Sequence, residues 1–392
     1  YRSSPSLSQD AVYNKNSNGS LQSIGHYWRW ASQYCCNSVN EAGKVMGLAA
    51  FGNPGKGKGV NLLTLTKEGF PQVDYTSLQS KYNKPNIHGK DLSNSEHYEN
   101  LAAKVQSETE NTLLDILQRL KRKFPSEQLY LSGGVALNVV ANEKIIQSGL
   151  FKNVILNGSV EDNGTAIGAG LAIYHEKGGL RKTRKVTDFF GRLYTENDYL
   201  DAIAKTDLTF KIFQKNEIFK QCAQLINEEK ILGWFQGRSE FGPRALGNRS
   251  IIANPKSKKT KYLLDHFMKK RDRYRPYAPV VVEEEAKKYF KIDGSSPVMM
   301  RNVLVLEDQL SAITHVDENA RLQTVTQQEN EVLYNLLLEV KKEIGYPILL
   351  NTSFNLPGEP IVETPADALS CFSRGTLDYL CLGNILVSRS AQ

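Results

Sequence analysis

The stretch Lys230–Pro255, "KILGWFQGRSEFGPRALGNRSIIANP", carries the reading of the second half of the chain. It opens on an apolar run, "ILGWF", and closes on another, "SIIANP", each bounded by turn residues and each short enough for a buried strand. Between them Arg238, Arg244 and Arg249 stand among Gly237, Gly242, Gly247 and Pro243. Such a segment is too glycine-rich for a helix, and desolvating an unpaired guanidinium costs several kcal/mol. The arginines therefore require an anion, either carboxylates of the chain (Glu240, Asp272, Asp317, Glu359) or a ligand. The pattern reads as strand, cationic loop, strand, with Asn254 expected to cap a helix that has Pro255 at its first position.

Outward from this stretch, strands and helices alternate. An amphipathic helix is expected over 217–229, a second over 331–344 closed by Gly345, and a third from Thr364–Pro365 to Arg374. The runs "YPILLN" and "LDYLCLG" read as strands. In the first half a long helix is expected over 96–122, with Leu101, Val105, Leu113, Leu117 and Leu120 on one face. "EQLYLSGGVALNVVANEKII" then reads as strand, Gly133–Gly134, and a helix from about Ala136. "NVILN" is a further strand, followed by a small-residue helix over 165–175 behind Glu161 and Asp162. The alternation argues for α/β in both halves. Paired glycines and clustered basic residues in "EKGGLRKTRKVTD" mark the linker, giving domains 1–187 and 188–392.

With 392 residues, two domains are the natural division, and 40% apolar residues supply ample core. No run of about 18 to 20 apolar residues exists to span a membrane, and no signal-peptide pattern opens the chain. Five scattered cysteines give neither a disulfide framework nor a CxxC site, which fits a reducing cytosol. The histidines form neither HExxH nor HxxxH. Lone His26 and His175 read as ordinary satisfied groups. The first residue is Tyr1, so an upstream part is expected to be missing. The net charge of +7 is concentrated between Lys256 and Arg275, which hold nine basic residues against Asp265 and Asp272. Such a patch suits phosphorylated molecules, and nucleic acid is disfavoured because no aromatic stacking motif is interleaved there. Further polar clusters are "KKRDRYRPYAP", "THVDENARLQTV" and "LLNTSFNLPGEP", the last ending a strand where ligands often bind in α/β sheets.

"EAGKVMGLAAFGNP", "LYLSGGVALNVVANEKI", "EFGPRALGNRSIIANP", "RDRYRPYAPVVVEE", "THVDENARLQTV" and "NTSFNLPGEPIVETPADAL" together resemble, in order, the signature blocks of the ATP-dependent O-carbamoyltransferases. The resemblance implies a partial actin-like ATPase-fold domain followed by a YrdC-like α/β domain. It implies that the second domain makes carbamoyl-adenylate from carbamoyl phosphate and ATP. The first would pass the carbamoyl group to a small-molecule hydroxyl acceptor. By motif, Arg244, Arg249, Lys269, Arg275, Arg321 and Ser353 would hold carbamoyl phosphate and the ATP phosphates. Glu41, Lys44, Gly133, Gly134 and Asn138 would surround the adenylate. Asp162 would ligate a divalent metal, iron in relatives, while Mg²⁺ would accompany ATP. The N-terminal HxxxH pair of the family has no counterpart here. A tRNA-directed threonylcarbamoyl-type enzyme and a non-catalytic adenylate-binding module are the alternatives, and homo-oligomerisation and the acceptor's identity stay open.

Overall fold

A computed structural model describes residues 22–57, 59–82, 85–86, 95–180, 188–214, 216–272 and 274–389. These divide into two compact units, the first ending at Ile155 but also taking in the segment from Asp272 to Arg275, the second holding the rest. The expected linker core, 181–187, lies outside the described residues.

In the first unit, helices α1 (Ile24–Cys36) and α2 (Ala42–Leu48) precede the antiparallel hairpin β1 (Leu63–Leu65) and β2 (Pro71–Val73), then α3 (Tyr75–Lys81). The long α4 (Glu96–Lys123) runs as its apolar spacing predicts, with Lys121, Arg122 and Lys123 in its last turn, where the carbonyl end of the helix favours cations. Tyr27, Trp30, Tyr34, Leu48, Leu101 and Val105 form the core between α1, α2 and α4. Strand β3 (Gln128–Leu131) leads through Gly133 into a 3₁₀ turn, and only then into α5 (Val139–Gln147), after which β4 (Asn153–Leu156) pairs with β3. The regular helix starts three residues later than the sequence suggests because Asn138 caps it: its Oδ1 accepts the Ala141 N–H at 3.0 Å.

The second unit begins with α6 (Asp162–Glu176), which starts at the acid itself and not at Thr165. Helix α7 (Glu196–Ile203), strand β5 (Thr209–Ile212) and helix α8 (Glu217–Asn227) follow. Strands β6 (Leu232–Phe235) and β7 (Arg249–Ala253) flank the arginine loop as expected. Helix α9 (Lys258–Leu263) is capped by Ser257, whose Oγ accepts the Thr260 N–H at 3.0 Å. The expected Asn254–Pro255 start is thus corrected: Asn254 Oδ1 takes the Lys256 N–H at 3.0 Å and closes a turn before the helix. Then come β8 (Ala278–Val282), α10 (Ala286–Tyr289), β9 (Arg301–Leu304), β10 (Asn319–Val325), α11 (Glu331–Ile344), β11 (Ile348–Ser353), α12 (Pro365–Arg374), β12 (Tyr379–Leu382) and β13 (Ile385–Ser388). Gly345 at φ 85° ends α11, and Thr364 closes a capping box on α12.

Nine strands form one mixed sheet in the order β5-β13-β12-β6-β7-β11-β8-β10-β9. The β8–β10 and β6–β12 pairs are parallel; β11 is antiparallel to both its neighbours. Helices α8 and α11 cover one face, against Trp234, Ile252, Val280 and Leu349. The opposite face, with Phe235, Ile251, Val281 and Leu350, packs on residues of α7 and α12. Alternation along each strand sends neighbours into different cores, as a sheet between two helical layers requires. One stretch of the α8–α11 face is left for the arginine loop.

Candidate functional site

The loop between β6 and β7 is irregular, so its buried backbone groups need partners from outside regular structure. They are supplied almost entirely by side chains. Glu240 Oε1 accepts the N–H groups of Leu246 (2.6 Å), Asn248 (2.8 Å) and Arg249 (3.2 Å). Ser250 Oγ accepts the Gly247 N–H at 3.1 Å, and Trp234 Nε1 donates to the Gly247 carbonyl at 2.9 Å. Gln323 Nε2 donates to the Leu246 carbonyl at 2.9 Å, while Asn351 Nδ2 donates to Gln323 Oε1 at 2.9 Å and to the Ala245 carbonyl at 3.3 Å. Gly242 at φ 127° and Gly247 at φ 103° make the turns, and a Cβ on Gly247 would lie 2.3 Å from Leu333 Cδ2. The limb 245–249 is thus a fixed pedestal, with Pro243 exposed and Arg244 half-buried beside it.

The arginines differ in use. Arg249 is fully buried, its guanidinium 3.5 Å from the Phe235 ring centroid, with Nη1 donating to the carbonyls of Gln236 (2.7 Å) and Asn248 (3.0 Å) and Nη2 to that of Gly237 (3.2 Å). Burial depresses its pKa, opposed first by the Glu240 charge. Its fork is committed to the loop's own backbone, which departs from the phosphate-holding role implied by motif. Arg238 donates to the Gly191 carbonyl at 2.8 Å.

The remaining expected residues of this unit gather around the end of β11. Asn351 and Ser353 share a face of that strand by alternation, about 7 Å apart. Lys269 Nζ donates to Ser353 Oγ (3.3 Å), to the Asn355 carbonyl (2.9 Å) and to Asn355 Oδ1 (2.6 Å). Arg321 stands two residues from Gln323 on β10, hence on the same face as the Gln323–Asn351 bridge. Arg244, Arg321, Ser353 and Lys269 are therefore each within one or two residues of a single hydrogen-bond network, or bonded to such a residue. Sequence reasoning missed Gln323, and it expected Glu240 as a counter-charge to an arginine and not as the hub that holds the loop's backbone. An acid three residues after a loop's first glycine gave no signal of that task.

Arg275 belongs instead to the first unit. There Glu41 and Lys44 form an ion pair at 3.1 Å, and Lys44 lies 3.8 Å from Asp272. The Cys36 thiol is pushed up to about 12, first by burial, while Lys44 and Arg275 pull the other way. Gly133, at φ 94°, and Gly134 face open space: a Cβ on either would meet nothing within 4 Å. That leaves backbone open to close approach, the property a phosphate-binding turn needs. Asn138 is employed otherwise, capping α5 and exchanging amide bonds with Gln106 (3.0 and 3.2 Å).

Asp162 is the first residue of α6. Among the described residues no group of three or more His, Cys, Asp or Glu side chains could hold a metal ion, and one carboxylate does not make a divalent site. The residues described here do not fit the implied iron. Asp162 does lie on the segment that packs on the arginine loop: Ser159 Oγ donates to the Phe241 carbonyl at 3.4 Å, and Gly242 abuts Asn163.

No helix among the described residues is long and apolar enough to cross a membrane. All five cysteines are free. The sequence matches the carbamoyltransferase N-terminus over residues 3–171 and the carbamoyltransferase C-terminus over residues 223–389. It is similar to nodulation protein NolO of Bradyrhizobium diazoefficiens, at 32% identity covering 94% of this chain and 69% of that protein. Nodulation protein NolNO of Sinorhizobium fredii is 32% identical, covering 94% of this chain and 56% of that protein. The 3'-hydroxymethylcephem-O-carbamoyltransferase of Amycolatopsis lactamdurans is 30% identical, over 87% of this chain and 64% of its own length. The chain thus spans little more than half the length of several relatives it matches. With matches to both halves of the family pattern and a relative two-thirds covered, the chain belongs to the carbamoyltransferase family.

Proposed function

We propose that this chain takes part in O-carbamoyl transfer, with carbamoyl phosphate and ATP giving carbamoyl-adenylate and a small-molecule hydroxyl then receiving the carbamoyl group. In this reading the second domain, 188–392, is the YrdC-like adenylate-forming half, and the first, 1–187, is the actin-like transfer half. The observation that supports the reading is the bridging of the loop limb that follows Arg244 to β10 and β11, the strands that carry Arg321 and Ser353, through Gln323 and Asn351, with Lys269 bonded to Ser353. Arginine's planar fork matches phosphate oxygens two at a time, and a lysine adds a compact charge.

Each step asks for anion positioning more than for covalent chemistry by the protein. Water cleaves carbamoyl phosphate to carbamate and inorganic phosphate, a carbamate oxygen then attacks the α-phosphorus of ATP and pyrophosphate leaves, and fixed cations neutralise the charge as it grows. The acceptor hydroxyl then attacks the carbamoyl carbon and AMP leaves. In the first unit, the open backbone at Gly133–Gly134 and the Glu41–Lys44 pair are the adenylate-binding elements of this proposal, with Arg275 beside them. No step is assigned to a metal.

The test is pyrophosphate release with ATP and carbamoyl phosphate. Arg244→Ala is expected to lose about a hundredfold in kcat/KM; equal release by both proteins removes Arg244 from the site.

A nucleic-acid acceptor is the second reading, favoured by one feature. Tyr262 and Phe267 are 54% and 52% exposed, with the His266 ring tilted against that of Tyr262 at 4.2 Å between centroids and exposed Lys258, Lys259 and Lys270 alongside. The expectation that no aromatics are interleaved with these basic residues is thereby corrected: exposed rings between lysines suit base stacking over a phosphate backbone. This reading predicts tRNA binding that weakens steeply with salt and is lost in Tyr262→Ala.

A further inference from the structure

Of the five side chains from outside the 245–249 limb that bond its backbone, four sit on strands: Trp234 on β6, Ser250 on β7, Gln323 on β10 and Asn351 on β11. Their places are set by the sheet. The fifth, Glu240, belongs to the loop itself and bonds the loop's later residues back onto its beginning. One oxygen does all of this, taking three N–H groups from residues 246 to 249. The other, Oε2, is buried and has no hydrogen-bond partner among the described residues. No ion pair to Glu240 is formed among the described residues. Phe189 pairs with the backbone of Glu240, and the Phe241 carbonyl accepts from Ser159, so the hub is also fixed from behind. Arg244 lies inside the ring that Glu240 closes, two residues before the first N–H it holds.

We infer that Glu240 is a positioning residue, whose single accepting oxygen closes the 240–249 loop and thereby sets where Arg244 meets a phosphorylated substrate. This rests on the phosphate-binding reading of the loop and names the residue that gives it its geometry. The acid acts chiefly through its accepting oxygen, and its charge additionally favours the guanidinium of the buried Arg249. Three buried N–H groups lose their partner together if it is removed, and the loop has no regular structure to fall back on.

The orphan oxygen makes the test clean. In Glu240→Gln the amide oxygen retains all three acceptor bonds, and the amide nitrogen replaces an atom that makes none. Glu240→Ala removes all three. Pyrophosphate release with carbamoyl phosphate as the varied substrate, and hydrogen exchange at the Leu246, Asn248 and Arg249 amides, are measured on the full chain. For Glu240→Ala, KM for carbamoyl phosphate is expected to rise about tenfold or more with kcat changed less than about threefold, and exchange at the three amides to quicken at least about tenfold. Amides of β11 keep their protection. Glu240→Gln stays within about threefold of wild type on every readout. Should Glu240→Ala not fold, Glu240→Asp, which retracts the oxygen by one methylene, replaces it with the same expected direction.

Wild-type KM and wild-type exchange in Glu240→Ala overturn the inference, as does damage in Glu240→Gln equal to that in Glu240→Ala. If the wild type releases no pyrophosphate, the functional reading falls by itself, and the exchange data alone decide whether Glu240 closes the loop.

Discussion

Two partly buried glutamates organise irregular chain in this molecule, one in each unit, and they do so by different means. Glu108 on α4 uses both oxygens: Oε1 takes the Leu62 N–H at 3.0 Å and Lys104 Nζ at 3.0 Å, while Oε2 takes the Tyr27 hydroxyl at 2.8 Å and the Leu63 N–H at 3.1 Å. Its charge is met by a lysine equally buried, the two side chains being 10% and 9% exposed. Glu240 uses one oxygen, for backbone alone, and is met by no ion pair among the described residues. The first is a compensated strut that ties the β1 entry to a long helix. The second leaves acceptor capacity unused next to the cationic loop, an arrangement better suited to setting a shape than to maximising stability.

The difference is broken or sharpened most directly by removing each charge while keeping an amide. Glu108→Gln leaves Lys104 buried without its counter-ion and is expected to cost about 3–5 kcal/mol in denaturant unfolding. Glu240→Gln keeps the three acceptor bonds but buries an amide N–H without a partner, and is expected to cost about 1–3 kcal/mol; equal losses in the two variants would erase the contrast. Next in size, Tyr27→Phe removes a hydroxyl bond to a charged acceptor and should cost about 1.5–3 kcal/mol in the same measurement. Burial pushes the Tyr27 hydroxyl pKa well up, so it donates at every ordinary pH. Ser250→Ala removes one neutral bond to the Gly247 N–H and should cost about 1 kcal/mol, with faster exchange confined to the loop.

The smallest effect is one of pH. Burial raises the Glu240 carboxyl pKa above the ordinary carboxylate range, with the N–H groups of Asn248, Leu246 and Arg249 pulling it back. The folded chain then holds a proton more tightly there than the unfolded chain, so the contribution to stability is complete below the unfolded pKa and is lost as pH rises through the folded one. Unfolding of the wild type compared with Glu240→Gln from about pH 4 to pH 7 should therefore show the wild type losing ground with rising pH. A wild type that gains on Glu240→Gln as pH rises would contradict this sign.

Much of the scaffold was legible because its signals are local. Gly345 after an apolar 3.6-residue period and Thr364–Pro365 before one announced α11 and α12, and the apolar runs either side of the arginines announced β6 and β7. The family blocks marked the candidate residues. What local sequence could not express was which way each side chain turns once the sheet closes. Arg249 and Arg244 look alike in "GPRALGNR", yet one is stacked on Phe235 inside the protein and the other stands half-buried at the loop. Asp272 and Arg275 follow Lys269 within six positions and still join the other unit, because chain proximity carries no information about which core a segment leaves. The helix start at Ser257 was misplaced since Asn254 and Ser257 are equally good caps on paper.

The edge of the large sheet carries a consequence for how the protein is made. β5 pairs along its length with β13, so Thr209 waits for Ser388, 179 residues later in the chain. At roughly 5–20 residues per second of translation, that is on the order of ten to thirty seconds during which a nascent strand sits outside the ribosome with its partner unmade. A polypeptide cut before β13 would have a sheet that lacks its seam, an open invitation to chaperones and to self-association.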